Sequence, residues 1–193
     1  MKPGSRALGV AESFTGDSSV LAGSVVRVDR ATDGFVFGTC TVGGTDVTDA
    51  VVDLWTRLDR PDARHVLVAG VALAWYNVLD LRELHRAVER PVLAVTFEES
   101  DGLADPLREA FSGDALAERL AVYERLPERH RVDVGDDAVF VRSVGLDPAA
   151  AAEVVRAHTP AGGRPEPLRV ARLAARAVDA WRDRGEGHGQ RER

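Results

Sequence analysis

Several predicted strands end in polar side chains of types that can bind a cation or a substrate. Glu12 comes directly after the first predicted strand, and Asp46 and Asp49 lie one turn apart on the first predicted helix. The residues that follow the fourth strand are Trp75, Tyr76, Asn77 and Asp80. Sites in open α/β sheets usually form where parallel strands end. We therefore expect these residues to share one crevice that contains several carboxylates.

Each member of this set also has an ordinary structural alternative. Asp46 is a suitable N-cap for the first helix, with Asp49 three positions on as in a capping box. Asn77 and Asp80 can cap the helix that follows them, and Glu12 can be a solvated loop residue. The two aromatic residues before Asn77 either stack on a nucleic-acid base or pack in the core or an interface.

Arginines accumulate around the start of the last predicted helix. Arg169, Arg172 and Arg176 follow an i, i+3, i+7 spacing, so they share one helix face. Such a stripe either contacts phosphate or pairs with acidic residues of the same surface. We assign Arg164, in the loop before the helix, and Arg169 to substrate binding, together with Trp75 and its neighbours Tyr76 and Asn77.

Apolar periodicity predicts three strands, then a helix, a strand, a helix and a strand. The strands are expected at residues 6–11, 19–28, 35–42, 65–71 and 91–96, and the two helices at 46–58 and 79–88. Two further helices, a hairpin around 135–137 and two last helices follow. This order indicates a mixed five-stranded α/β sheet flanked by helices, with an extra C-terminal hairpin and helices.

Composition narrows the class of protein without naming a function. The 193 residues include 31 acidic and 25 basic side chains, a net charge of −6, and Lys2 is the only lysine. This balance argues against a protein that holds duplex nucleic acid by charge alone. Cys40 is the single cysteine, which excludes an intramolecular disulfide framework and a cysteine-based zinc ribbon. The acid excess with almost no lysine also suggests a salt-adapted protein, which is a hypothesis.

The chain is expected to be one cytoplasmic domain over residues 1–184, followed by a disordered polar tail at 185–193. Its longest uncharged stretch, 66–79, is shorter than the roughly 18 residues of a membrane-spanning helix. No apolar signal core follows the N-terminus. A membrane partner is therefore not expected, whereas a homodimer is left open.

Short motifs through most of the chain resemble a known family. They are residues 9–12 (GVAE), 33–35 (DGF), 42–49 (VGGTDVTD), 75–80 (WYNVLD) and 163–171 (GRPEPLRVA). They are similar to "domain of unknown function 99", a mostly archaeal family related to endonuclease V. The run around the Pro-Glu-Pro segment also resembles the C-terminal motif of endonuclease V itself. The resemblance covers about residues 2–180 and implies a ribonuclease H-like fold.

The resemblance implies carboxylates that converge from several strands on Mg²⁺ to hydrolyse a phosphodiester. In endonuclease V these are acids of the first strand, the first helix and the fourth strand, with a histidine after the last strand. Here the corresponding positions are Ala11, Asp49, Ala69 and Leu146, so only Asp49 matches in type. Glu12 adjoins the first of these positions, but neighbouring strand residues point to opposite faces.

We therefore predict an endonuclease V-like protein whose nuclease site is degenerate or rearranged. Its catalytic set would be Glu12, Asp46, Asp49 and Asp80, with Mg²⁺ held by Glu12 and Asp49 and with DNA or RNA as the partner. The alternative is a non-catalytic module that binds nucleic acid or protein through the same crevice. A third possibility is an oligomeric scaffold that uses the Trp75 surface.

Overall fold

The computed structural model describes the backbone of residues 1–189 and the side chains of residues 1–184. The strands are β1 (Arg6–Phe14), β2 (Ser18–Arg27), β3 (Thr32–Thr41), β4 (Ala63–Val68), β5 (Ala72–Leu73), β6 (Asn77–Val78), β7 (Val92–Thr96), β8 (His130–Val134) and β9 (Asp137–Val144). The helices are α1 (Val47–Leu58), α2 (Leu81–Val88), α3 (Ala104–Ala110), α4 (Gly113–Glu124), α5 (Pro148–Ala157) and α6 (Glu166–Gly189).

Seven of these strands form one mixed sheet in the order β3-β2-β1-β4-β7-β9-β8. The neighbours β1, β4 and β7 run parallel, and all other pairs in this sheet are antiparallel. The predicted order of the first five large strands is confirmed. The C-terminal hairpin β8–β9 does not stand apart from the sheet, because β9 pairs along the whole of β7 and extends the sheet to seven strands.

The two faces of β1 bury different cores, and this alternation decides where its polar residues point. Leu8 and Val10 belong to the core under α1 and α2, whereas Ala7 belongs to the core on the side of α5 and α6. Gly9 lies on that second face, against Pro167 in the first turn of α6. The even-numbered residues of β1 therefore face α1.

A short hairpin, β5–β6, separates β4 from α2 and was not expected from the sequence. Its turn consists of Ala74, Trp75 and Tyr76, whose φ angles of 45°, 55° and 61° are all left-handed. Side chains with a Cβ rarely adopt this conformation, and three in succession store strain. The strand expected at 65–71 ends at Val68, since the chain turns into this hairpin.

The last helix, α6, extends to Gly189, beyond its predicted end near residue 182. The disordered tail that we predicted covers residues 185–193, of which 190–193 lie outside the described residues. None of the helices in residues 1–189 combines the length and apolar character that crossing a membrane requires.

Protonation of a buried histidine should make the stability of this fold depend on pH. His158 is 1% exposed, and neither of its ring nitrogens bonds another described group. Burial lowers its pKa to about 4 from an ordinary 6.5, and His65 adds to the shift. Between these two pKa values, the histidine is protonated in the unfolded chain but stays neutral in the folded chain. The free energy of unfolding should therefore fall by about 2 kcal/mol from pH 8 to pH 5.

Urea denaturation at both pH values measures this effect. We expect His158→Leu to remove most of the pH dependence and His130→Leu, at a partly exposed site, to retain it. Equal pH dependence in the wild type and the His158→Leu variant would show that another group is responsible.

Candidate nucleic-acid-processing site

Glu12 lies inside β1 and faces α1, on the same side of the sheet as Leu8 and Val10. The predicted strand stopped at residue 11, but β1 continues to Phe14 because Ser18–Arg27 pairs along its full length. The carboxylate is partly exposed and accepts a 3.0 Å hydrogen bond from Ser19 Oγ. Ala11 is fully buried on the opposite face. Glu12 is thus the acid that the first strand directs toward the first helix, and the strand has no bulge at this residue.

Asp46 precedes α1 at the N-cap position, but its side chain makes no capping hydrogen bond. Its carboxylate instead accepts bonds from the amide and hydroxyl of Thr41 at 3.1 and 2.9 Å and from Asn77 Nδ2 at 2.6 Å. Partial burial would raise the pKa of Asp46, but these hydrogen bonds outweigh it and hold the pKa below its usual 3.8. Asp46 is therefore an exposed, ionised carboxylate whose position is fixed.

The carboxylates of Glu12 and Asp46 act on the same neighbour, the buried thiol of Cys40. Burial, together with the charges of Asp46 and then Glu12, raises the pKa of Cys40 to about 12. The thiol therefore stays neutral, as expected for a small buried residue. Ser19, which bonds Glu12, pairs with Cys40 across β2 and β3, and Asp46 bonds the next residue, Thr41. The two carboxylates therefore border the same part of the sheet, and we call them the Glu12–Asp46 pair.

Asn77 positions Asp46 and does not reach solvent. It is fully buried, its Nδ2 donates to the Thr41 carbonyl at 3.0 Å as well as to Asp46, and its Oδ1 accepts from Val47 N at 3.1 Å. The residue therefore caps α1, which precedes it in the chain, rather than the helix that follows. A direct contact with substrate, as predicted from the sequence, is incompatible with this burial.

Asp49 faces away from the sheet and is not brought near Glu12. The sheet side of α1 carries the buried Val47, Val51 and Leu54, and Asp49 lies about 200° around the helix from Val47. It lines a 180 Å³ cavity between α1, α2 and α4. The other acids of that cavity are Asp80, Glu83 and Glu118. The predicted Mg²⁺ pair of Glu12 and Asp49 is therefore split between two sides of α1.

Asp80 caps the helix that follows it, which was the structural alternative to a catalytic role. One carboxylate oxygen accepts from the amides of Arg82 and Glu83 at 2.9 and 3.0 Å and caps α2. The other oxygen pairs with Arg125 at 3.1 Å. Burial would raise the pKa of Asp80, but the helix amides and Arg125 lower it overall. Both oxygens are thus engaged within the protein.

Trp75 and Tyr76 form an aromatic cluster with Phe111 beside the turn that leads into α1. The Trp75 ring centroid lies 5.3 Å from that of Phe111, and Tyr76 meets Phe111 edge-on at 6.2 Å. Trp75 is still 51% exposed. Its ring covers Gly43, where an added Cβ would come within 2.8 Å of it. The exposed indole therefore flanks the Asp46 turn and remains available for stacking.

The two arginines assigned to substrate binding have different environments. Arg169 pairs with Glu166 one turn earlier on α6, at 2.6 and 2.8 Å, which confirms the intramolecular alternative for this residue. Arg164 forms no ion pair among the described side chains, and its guanidinium lies 3.7 Å above the centre of the Phe97 ring. Only Arg164 is thus free of a carboxylate partner.

A 430 Å³ cavity opens where the parallel strands β4 and β7 end. Ala69 and Gly70, at the position of the missing fourth-strand acid, line it, and the Ala69 amide bonds the Val10 carbonyl at 2.9 Å. The cavity wall at Ala69 is therefore hydrogen-bonded to β1 two residues before Glu12. Sequence reasoning missed two of its arginines, Arg129 and Arg142, because they follow no motif and lie far from α6 in the chain.

Few side chains that could bind a metal ion lie around Glu12. Within the described residues, no three His, Cys, Asp or Glu side chains lie close enough together to hold a metal ion. Leu146, the residue that the resemblance sets against the endonuclease V histidine, packs against the core on the α6 side. Two carboxylates nevertheless suit Mg²⁺, which commonly takes its other ligands from water and substrate phosphate.

Comparison with known proteins assigns the chain to a family. The profile of a family described as "Endonuclease dU" matches residues 3–179. The chain belongs to the endonuclease dU family. A UPF0215 protein of Thermococcus kodakarensis is 37% identical over 164 residues, 84% of this chain and 82% of the relative. The suspected relationship to an archaeal family is confirmed.

Solved structures confirm the fold of this endonuclease dU family member. A crystal structure of a protein of unknown function from Archaeoglobus fulgidus superposes with a TM-score of 0.81 at 26% identity, covering 90% of this chain and 97% of that one. Endonuclease V from Ciona intestinalis, crystallised with inosine-containing DNA, superposes with a TM-score of 0.56 at 12% identity, over 90% and 85% of the two chains. At that identity the match shows a shared ribonuclease H-like fold.

Proposed function

We propose that this protein is a metal-dependent endonuclease that cleaves DNA at deoxyuridine. The Glu12–Asp46 pair carries the proposal, because it supplies a partly exposed carboxylate from the first strand and an exposed one from the start of the first helix of a ribonuclease H-like fold. The family description "Endonuclease dU" supports the choice of substrate. The endonuclease V structure with inosine-containing DNA supports deaminated bases as a substrate class.

Glu12 and Asp46 would hold the metal ion, and substrate phosphate and water would complete its coordination. Bound Mg²⁺ would activate water and neutralise charge on the leaving oxygen. Ser19 orients Glu12, while Thr41 and Asn77 keep Asp46 ionised and in place. Asp49 and Asp80 lie outside this pair, so this assignment replaces the four-acid set expected from the sequence.

Cleavage assays with carboxylate variants test the proposal. The substrates are otherwise identical DNA strands with one deoxyuridine, one deoxyinosine or neither, incubated with Mg²⁺ or Mn²⁺. We expect strand cleavage at deoxyuridine, loss of activity with EDTA, and a loss of at least tenfold in Glu12→Gln and Asp46→Asn. A tenfold loss corresponds to about 1.4 kcal/mol of transition-state stabilisation.

Asp53→Asn is the matched control, because Asp53 is an exposed acid of the same helix. It should retain wild-type activity, and Asp49→Asn should lose less than threefold. Cleavage that survives both EDTA and the Glu12→Gln substitution would overturn the metal assignment, and absence of cleavage on every substrate would overturn the endonuclease proposal.

A non-catalytic nucleic-acid-binding module is the second candidate. One observation favours it: the described residues bring together two carboxylates rather than the three acids and histidine of endonuclease V. Binding of the same DNA strands without cleavage would identify this function. A cytoplasmic location, salt adaptation and a homodimer remain predictions from the sequence.

A further inference from the structure

Four arginines line the 430 Å³ cavity at the ends of β4 and β7. They are Arg129, Arg142, Arg164 and Arg172, and they come from the segment before β8, from β9, from the loop before α6 and from α6 itself. None of the four forms an ion pair with a carboxylate in the described part of the chain, although Glu98 also lines the cavity. This is unusual in a chain with 31 acidic and 25 basic residues.

Aromatic rings and backbone carbonyls hold these guanidinium groups in place of carboxylates. Arg129 lies 4.6 Å above the centre of the Phe140 ring and donates to the Ser100 carbonyl at 2.9 Å. Arg142 lies 5.6 Å from the centre of the Tyr123 ring and donates to the Pro127 carbonyl. Arg129, Arg142 and, above the Phe97 ring, Arg164 are therefore ordered before a ligand arrives, and no carboxylate neutralises their charges in the described part of the chain.

The electrostatics of the cavity agree with this geometry. Burial lowers the pKa of Arg142, and the nearby charge of Arg129 acts in the same direction. Burial likewise lowers the pKa of Arg164, followed by the charges of Arg172 and Arg176, while Glu98 opposes them. Mutual repulsion among guanidinium groups at one cavity is relieved by a bound anion.

Phosphate is the anion that this arrangement suits. A guanidinium presents paired N–H donors that match two phosphate oxygens, and it stays charged at any physiological pH. The residues that line the cavity include the small Gly70, Ala72 and Ala94, and its 430 Å³ can hold a sugar-phosphate unit. A volume of 430 Å³ can enclose part of a single strand, whereas a double helix would have to stay outside the cavity.

We propose that this arginine cavity binds the phosphate backbone of single-stranded DNA and guides that strand toward the Glu12–Asp46 pair. The inference deepens the proposed function. It rests on that function only where it says that the DNA strand is guided toward the Glu12–Asp46 pair. The link is geometric, because Ala69 lines the cavity and bonds Val10, two residues before Glu12.

Binding of a labelled thymidine oligonucleotide in EDTA tests the cavity separately from cleavage. The main variant is Arg164→Gln combined with Arg172→Gln, since neither side chain makes a hydrogen bond in residues 1–184. We expect at least a tenfold weaker affinity. The slope of log affinity against log salt concentration should fall by about 1.4, or about 0.7 per lost phosphate contact.

Arg108→Gln combined with Arg131→Gln is the matched control, because both arginines are exposed and pair with acids away from the cavity. It should bind nearly as the wild type does. Equal affinity and salt slope in the cavity variant and this control would overturn the inference. Pyrophosphate that binds the cavity without displacing the oligonucleotide would also overturn it and indicate a free phosphate ligand.

The two proposals fail separately. Weakened binding in the cavity variant without any cleavage by the wild type supports the arginine cavity and overturns the endonuclease. Cleavage at deoxyuridine by the wild type, together with unchanged binding in the cavity variant, supports the endonuclease and overturns the arginine cavity. Melting temperatures of all variants confirm that they are folded.

Discussion

Replacing Gly9 with alanine is expected to lower the free energy of unfolding by about 3 kcal/mol. A Cβ at this position would lie 2.3 Å from the carbonyl carbon and 2.4 Å from the carbonyl oxygen of Pro167. These are backbone atoms in the first turn of α6, so no side chain can rotate away. Ser24 Oγ donates to the same carbonyl at 2.8 Å and resists its displacement. The helix would have to move away from β1.

Urea denaturation of Gly9→Ala beside Gly16→Ala measures this contact. Gly16 has no atom within 4 Å of an added Cβ, so its substitution should change stability by less than about 0.5 kcal/mol. Equal stabilities of the two variants would show that α6 packs less closely on β1. The contact also links two motifs of the family, the segment around Gly9 and the Pro-Glu-Pro segment.

Replacing Arg119 with methionine should cost about 4 kcal/mol of stability. This arginine is 5% exposed and donates to the carbonyls of Gly43, Gly44, Tyr76 and Ala115. Methionine keeps an apolar chain of similar length but removes the guanidinium that lies 4.0 Å above the Phe111 ring and leaves partly buried carbonyls without this donor. Because two of them belong to the turn before Asp46, the variant should also lose cleavage activity.

Denaturation and hydrogen exchange together test the role of Arg119. The Gly43 amide donates to the Ala74 carbonyl at 2.7 Å, so its exchange should become faster when the two turns separate. Arg108→Met is the control, because Arg108 is exposed and bonds a single aspartate. An Arg119→Met variant with normal stability and slow Gly43 exchange would show that the turns hold together without the guanidinium.

Local patterns in the sequence were sufficient for the main elements of the fold. Apolar patterns, helical spacing and helix-start signals predicted the five large strands and all six helices of residues 1–189. The β5–β6 hairpin was missed, since strands of two residues have no periodicity. The C-terminal end of β1 was also missed, because pairing with β2 rather than an apolar pattern extends it past residue 11.

The candidate site was only partly predictable. Asp80 caps α2, as its structural alternative predicted. The expectation that Asn77 caps the same helix was wrong, because Asn77 caps α1 through a contact between residues 30 positions apart. The role of Glu12 in the site stays a prediction, and the orientation of its side chain depends on the strand continuing beyond it. The arginine cavity was unpredictable, since Arg129, Arg142 and Arg164 meet only after β9 joins the edge of β7.

The sequence by itself determined the family, the order of the large elements, the net charge and the presence of acids near the ends of the first strand and the first helix. Tertiary structure decided which of those acids act together. Asp46 and Asp49 are three positions apart, yet the turn before α1 directs Asp46 toward Thr41 and Asn77 while the sheet-facing side of α1 turns Asp49 away. The spacing of two residues along a helix fixes only the angle between their side chains. The packing of the helix on the sheet decides which side chain points toward the sheet and which points away.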